Sequence, residues 1–333
     1  MLLHPAILTL LLCSALLFAV AVVVGGAGLT VMIGWNPDRA DRRQLVRERR
    51  ALLAESGATL VLACQLLTLF LFIATAQHLH SLFTGAMCAA GTLHASGFGY
   101  PTLLVKIAVF LLTGLWLIGN RATSGAVAIG MVRFRYLSLL AVVAALAGEN
   151  LLQWRFFASL DPEVLTSCCA IIFSANASGV GAELSAVPLT EGLIALVMAA
   201  ALTLLLAWRL LARRGSPTGF SLLTLILGGL SLAALISWVA PAVYELPTHH
   251  CPFCLLTAEH EFIGYGLYLS LGVAVLAGGG TGLVGALRRV DAAGEIEAAA
   301  ERRLCVISLT GFGVFSALAL WRLVTGGLRL EVL

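Results

Sequence analysis

Residues 6–50 read AILTLLLCSALLFAVAVVVGGAGLTVMIG (6–34) and then WNPDRADRRQLVRERR (35–50). The first part runs without a charged side chain and is long enough to cross a hydrocarbon layer of ~30 Å as a helix. The second part gathers Arg39, Arg42, Arg43, Arg47, Arg49 and Arg50. An apolar run bordered by arginines is a membrane span with its inner edge marked. It is not the pattern of a cleaved signal peptide, whose shorter apolar region follows its basic residues.

The same alternation continues along all 333 residues. Apolar windows at about 6–34, 57–77, 102–119, 136–157, 189–210, 219–240, 262–287 and 304–324 predict eight spans. The chain is 60% hydrophobic and 11% charged, with a mean hydropathy of +1.00. A soluble domain has roughly 45–50% apolar and about 25% charged residues. These values exclude a soluble enzyme, a disordered chain and a nucleic-acid binder. The expected fold is all-α, a polytopic transmembrane helical bundle of about eight spans forming a single integral membrane domain over 1–333, with the lipid bilayer as its first partner.

Basic residues predict the orientation. The segments after spans 1, 3, 5 and 7 hold 16 of the 20 basic residues, including Arg121, Arg133, Arg135, Arg209, Arg213, Arg214, Arg288, Arg289, Arg302 and Arg303. Both termini are therefore expected on the outer side, the periplasm if the membrane is a bacterial inner (cytoplasmic) membrane. Residues 38–55 and 288–303 mix both signs of charge with helix formers and are expected as helices at the membrane surface. Trp35, Tyr100, Trp154, Trp238 and Tyr244 lie near span ends, as an aromatic belt would.

This topology sorts the reactive side chains. All seven histidines, His4, His78, His80, His94, His249, His250 and His260, fall in outer segments or at outer span ends. So do Cys88, Cys168, Cys169, Cys251 and Cys254, whereas Cys13, Cys64 and Cys305 sit inside apolar runs as packing residues. An oxidising outer compartment lets disulfides persist. Five outer thiols leave at least one unpaired in any intramolecular disulfide scheme, and adjacent Cys168 and Cys169 are badly placed to bond to each other. An odd outer thiol points to a metal, a partner or turnover.

The richest segment is His249-His250-Cys251-Pro252-Phe253-Cys254, with Glu259-His260-Glu261 behind it. Pro252 suits the first turn of a helix. A helix starting there would set Cys251 and Cys254 on one face and lower their thiol pKa. Thiolate serves both soft-metal binding and disulfide exchange.

The leading expectation is an outward-facing Cys/His site that binds or handles a soft transition metal, copper above all, with zinc as the other candidate. Its ligands would be His250, Cys251, Cys254 and His260, with Cys88, Cys168, Cys169, His249, His78, His80 and His94 as further candidates. A periplasmic metal or thiol carrier protein would be the partner. The second reading is enzymatic. CPFC resembles the CPxC of thioredoxin-like proteins, and its place beside a membrane helix resembles the membrane oxidoreductases that pass electrons to quinone; the resemblance covers these four residues. It implies a thiol-disulfide oxidoreductase with Cys251 and Cys254 as the catalytic pair and a quinone as electron partner. The third reading is a structural subunit of a larger membrane complex.

Three ionisable residues lie inside apolar runs: Lys106, Glu149 and Glu191. Charges at that depth face a partner or a cavity. Lys106 is expected to pair with Glu149 or Glu191, with Asn150 and Gln153 joining the network.

Overall fold

The computed structural model describes residues 1–35, 42–124, 128–161, 163–164, 186–291, 296 and 298–326. Among them there is no strand. The long helices are α1 (Pro5–Gly34), α2 (Arg42–Leu79), α4 (Gly99–Ala122), α5 (Ile129–Ala158), α6 (Leu189–Leu211), α7 (Pro217–Ala234), α9 (Ile263–Val290) and α10 (Ala298–Thr325), with short α3 (Ala89–His94) and α8 (Ala240–Tyr244) between them. α7 runs through a π-helical segment, Leu235–Val239, into α8, so that Pro217–Tyr244 forms one span.

Among the described residues, eight helices are long and apolar enough to cross a membrane, and only 22–56% of each spanning window is buried within the protein. The remaining faces stay apolar: Leu12, Val23, Leu60, Ile194 and Leu204 all stand exposed. A helix that is hydrophobic all round needs lipid on its outer faces. The chain is a membrane-spanning helical protein.

The spans begin and end where local chemistry dictates. Pro5 opens α1, with His4 Nδ1 accepting the Ala6 N–H at 3.3 Å. Pro217 opens α7, with Ser216 Oγ accepting the Gly219 N–H at 3.2 Å. Residues 42–55 do not form a separate surface helix as expected. They continue into α2, which at 38 residues is roughly 57 Å long and extends well beyond a ~30 Å hydrocarbon layer. No proline interrupts this stretch, and its Arg, Leu, Glu and Ala residues are good helix formers. Likewise Arg288 and Arg289 belong to the last turn of α9, and Arg302 and Arg303 to α10.

The chain divides into two compact units. Unit 1 comprises 1–78, 93–162 and 287–297; unit 2 comprises 79–92, 163–286 and 298–333. In unit 1, Val24, Ala58, Leu62, Val109, Trp116, Tyr136, Leu139 and Leu146 form the apolar core of α1, α2, α4 and α5. Trp116 donates to the Arg135 carbonyl at 3.0 Å, and Arg135 pairs with Glu55 and donates to the Thr123 carbonyl, capping the end of α4. In unit 2, Leu227, Leu235, Val239, Tyr244, Leu255, Leu267, Leu271, Phe312 and Phe315 form the core. Trp238 and Tyr244 are both buried, and Trp238 donates to the Val187 carbonyl at 3.1 Å.

Candidate metal-binding thiol site

The site lies within unit 2 and is made by two loops, one carrying Cys88 and the other Cys251 and Cys254. The first loop leaves a 3-10 turn at His80–Leu82, reverses at Gly85 with φ 90°, and reaches α3 just after Cys88. Only glycine takes that φ without steric cost. The Cys88 carbonyl accepts the Gly91 N–H at 3.0 Å.

The second loop follows the π-helical segment. Pro241 has no N–H to offer the preceding turn, and the Ala240 N–H reaches back five residues to the Leu235 carbonyl. That shift takes Ala240 away from Ile236, its ordinary acceptor in an α-helix. The Ile236 carbonyl instead meets His250 Nδ1 at 3.2 Å. A carbonyl only accepts, so Nδ1 carries the hydrogen and the neutral ring keeps its lone pair on Nε2. His250 thus ties the loop to the distorted helix.

Two tyrosines hold the backbone of the motif. Tyr244 donates its hydroxyl to the Cys251 carbonyl, and Tyr268 donates to the Pro252 carbonyl at 2.7 Å. Thr257 donates to the Cys254 carbonyl at 2.8 Å. Gly264 allows the loop to pack on α9, since a Cβ there would lie 2.8 Å from the Leu255 carbonyl oxygen.

The expected helix at Pro252 does not form. Cys254–Leu256 and Ala258–His260 are single 3-10 turns, and α9 begins only at Ile263. Thr257 is extended, and Glu261 and Phe262 both take φ 55°, which ends each turn before a helix can grow. The strained corner is tied by Glu261 to Arg322 at 2.5 Å. The thiols therefore sit in a buttressed loop, not at the N-terminus of a long helix.

The result is a group of three thiols. The Sγ atoms of Cys88, Cys251 and Cys254 all lie within 4.8 Å of one another, and those of Cys88 and Cys251 are 3.4 Å apart. Cys88 and Cys251 are fully buried, and Cys254 is half-buried. A tetrahedral ion with bonds of about 2.3 Å to sulfur separates its sulfur ligands by roughly 3.8 Å, and a trigonal one by roughly 4.0 Å. The group can hold a metal ion with small movements of the side chains.

The histidines surround this group unequally. His249 Nε2 is 3.5 Å from Cys254 Sγ, and its ring meets the Tyr244 ring edge-on at 4.7 Å. His260 packs on Tyr244, its ring 4.5 Å from that of the tyrosine. Burial holds the His260 imidazolium below its usual pKa, with neighbouring Glu259 opposing the shift. Glu259 is itself held below the usual carboxylate range, chiefly by hydrogen bonding to Thr257.

Other candidates lie elsewhere. His80 is half-buried and near enough to Glu259 to interact with its charge. His78, in unit 1, packs beside His4 with ring centres 5.7 Å apart. His94 is exposed at the end of α3. Cys168 and Cys169 lie outside the described residues. Cys13 and Cys64 are exposed on their spans, while Cys305 is buried.

In unit 1, Lys106 and Glu149 pair across α4 and α5, with Nζ 2.5 Å from Oε1. Gln65 of α2, which the sequence reading missed, donates its amide to both carboxylate oxygens at 3.1 and 3.0 Å. A glutamine in the middle of the apolar stretch of α2 was the available signal. Glu191 is exposed in the first turn of α6. Asn150 donates to the Leu146 carbonyl of its own helix at 2.9 Å.

Family models, curated proteins and solved structures were all compared with this chain, and none matches it.

Proposed function

We propose that this protein binds and handles a soft transition-metal ion, copper(I) in first place, at an outward-facing site made by Cys88, Cys251 and Cys254. The observation that carries the reading is the convergence of three thiols from two separate loops. A sulfur-only set without a carboxylate selects soft ions over magnesium, calcium or manganese. Copper(I) accepts three sulfurs; zinc would need a fourth ligand, for which His249 beside Cys254 is placed. Cys254 is the half-buried member and meets the carrier that delivers or removes the ion. Cys88 and Cys251 form the buried floor. The arginine asymmetry supports an outer location for these loops, the periplasm if the membrane is a bacterial inner membrane.

The test is metal analysis of purified, copper(I)-loaded protein beside the Cys88→Ser, Cys251→Ser and Cys254→Ser variants. The reading expects one ion per chain, lost in each variant. Protein that retains neither copper nor zinc after loading overturns it.

A second reading rests on a different distance. Cys88 and Cys251 at 3.4 Å need to close by little more than 1 Å to reach the ~2.05 Å of a disulfide. The half-buried Cys254 could then attack that bond. In this reading the thiols give two electrons and two protons to a quinone, which becomes a quinol as the disulfide forms. Thiol trapping in cells separates the readings, because only the redox enzyme changes its oxidation state with the quinone pool.

A further inference from the structure

Unit 1 contains polar chemistry that the thiol site does not use. Lys106 and Glu149 are 2% and 1% exposed, Gln65 is 3% exposed, and Gln153 and Ser14 are also buried. They come from four spans: Ser14 on α1, Gln65 on α2, Lys106 on α4, Glu149 and Gln153 one turn apart on α5. Ser14 donates to Gln153 Oε1 at 3.5 Å, and the Lys106 ammonium lies 5.3 Å from the centre of the Phe72 ring.

Two features separate this from a plain structural bridge. A buried ion pair is commonly no more stabilising than apolar residues of the same volume, so stability alone does not account for it. The amides beside it are also only half satisfied. Gln65 spends its N–H groups on Glu149 while its Oε1 has no partner, and Gln153 accepts from Ser14 while its Nε2 has none. Each unpaired buried group costs about 1–3 kcal/mol. An unpaired acceptor and an unpaired donor beside a carboxylate are the groups through which water could pass a proton.

We propose that Glu149 is a proton-binding site inside the membrane, with Lys106 as its counter-ion and Gln65 and Gln153 as the polar groups that relay water-borne protons to it. The step is a simple protonation. The carboxylate takes one proton to become a carboxylic acid, its ion pair with Lys106 gives way to a hydrogen bond, and release of the proton restores the pair. No electrons move.

The neighbouring charges do not compete for this role. α1 carries none. On α2, Glu55 is engaged with Arg135 of α5, and His78 lies against His4. Arg121 ends α4, and Arg155 in the last turn of α5 lies over the Phe98 ring. Gln65 and Phe72 are what α2 presents to the pair.

The test is pH-difference infrared spectroscopy of the full chain in liposomes. A reversible carboxylic-acid C=O band is expected on acidification, lost in Glu149→Gln and displaced in Glu149→Asp. Should Glu149→Gln fail to fold, the Asp variant and glutamate-isotope labelling of the wild type still assign the band. Gln65→Leu and Gln153→Leu should keep the band but slow its appearance after a pH jump. No such band at any pH at which the helices stay intact, or a band that survives Glu149→Gln, overturns the site. Unchanged kinetics in both glutamine variants overturn the relay.

Discussion

The three thiols of unit 2 and the ion pair of unit 1 are two answers to the same difficulty, reactive polar groups in an apolar protein. The ion pair is built on the spans themselves, and its charges cancel within 2.5 Å. The thiols are built on loops, and the group gathers three acidic side chains of like kind within 4.8 Å. Once ionised, three thiolates repel, and a cation is what would hold them together. The first arrangement carries its own counter-ion; the second invites one from outside. What they share is scaffolding by neutral hydrogen bonds, Gln65 on Glu149 in one case and Tyr244 on the Cys251 carbonyl in the other.

The sharpest way to break this comparison is to unbalance the ion pair. Glu149→Leu leaves the Lys106 ammonium buried without its carboxylate and is expected to cost about 3–5 kcal/mol in unfolding measurements in detergent. The double variant Lys106→Met with Glu149→Leu should recover most of that loss. A double variant as unstable as the single one would mean that the pair's residues matter for packing, not charge.

Next in size is the loss of a thiol. Cys251→Ser should weaken metal binding by more than the ~10–100-fold typical of changes to groups behind the ligands, while leaving the fold intact. Competition with a copper(I) chelator measures this. Tyr244→Phe removes only the hydroxyl behind Cys251 and should fall within that ~10–100-fold range. Equal effects of the two variants would mean that Cys251 is itself not a ligand.

The smallest effect concerns pH. His260 has its pKa lowered in the folded protein, so the folded state favours the neutral ring. The unfolded chain takes up the proton first as pH drops below its ordinary value near ~6.5. The contribution of His260 is therefore complete above that value and is lost as pH falls through the folded pKa. His260→Gln should lose less thermal stability than the wild type on moving from neutral to mildly acidic buffer. The same loss in both proteins would assign the acid sensitivity to other groups.

The spans were legible from the sequence because a helix in lipid must be apolar on nearly every face, and eight runs met that demand. Their ends were less legible. α2 extends into its arginine-rich segment because helix formers keep the hydrogen-bond ladder going past the bilayer edge. Lys106 and Glu149 stood out by rarity alone, but the choice between Glu149 and Glu191 as partner needed the packing of α4 against α5. The thiol site was half legible. The CPFC motif announced reactive cysteines, and Cys88 entered only as a further candidate because no sequence spacing relates residues 88 and 251. The roles of His249 and His250 depend on the π-helical distortion ahead of Pro241, which turns His250 toward a backbone carbonyl and leaves His249 beside Cys254. Such a distortion has no reliable signature beyond the proline itself.

The most direct test of the thiol site is copper stoichiometry on the protein, purified under reducing conditions and loaded with copper(I), beside the variant in which Cys88, Cys251 and Cys254 are all serine. The account predicts one tightly held ion per wild-type chain and none in the triple variant. Equal copper in the two proteins, or none in either, would contradict it.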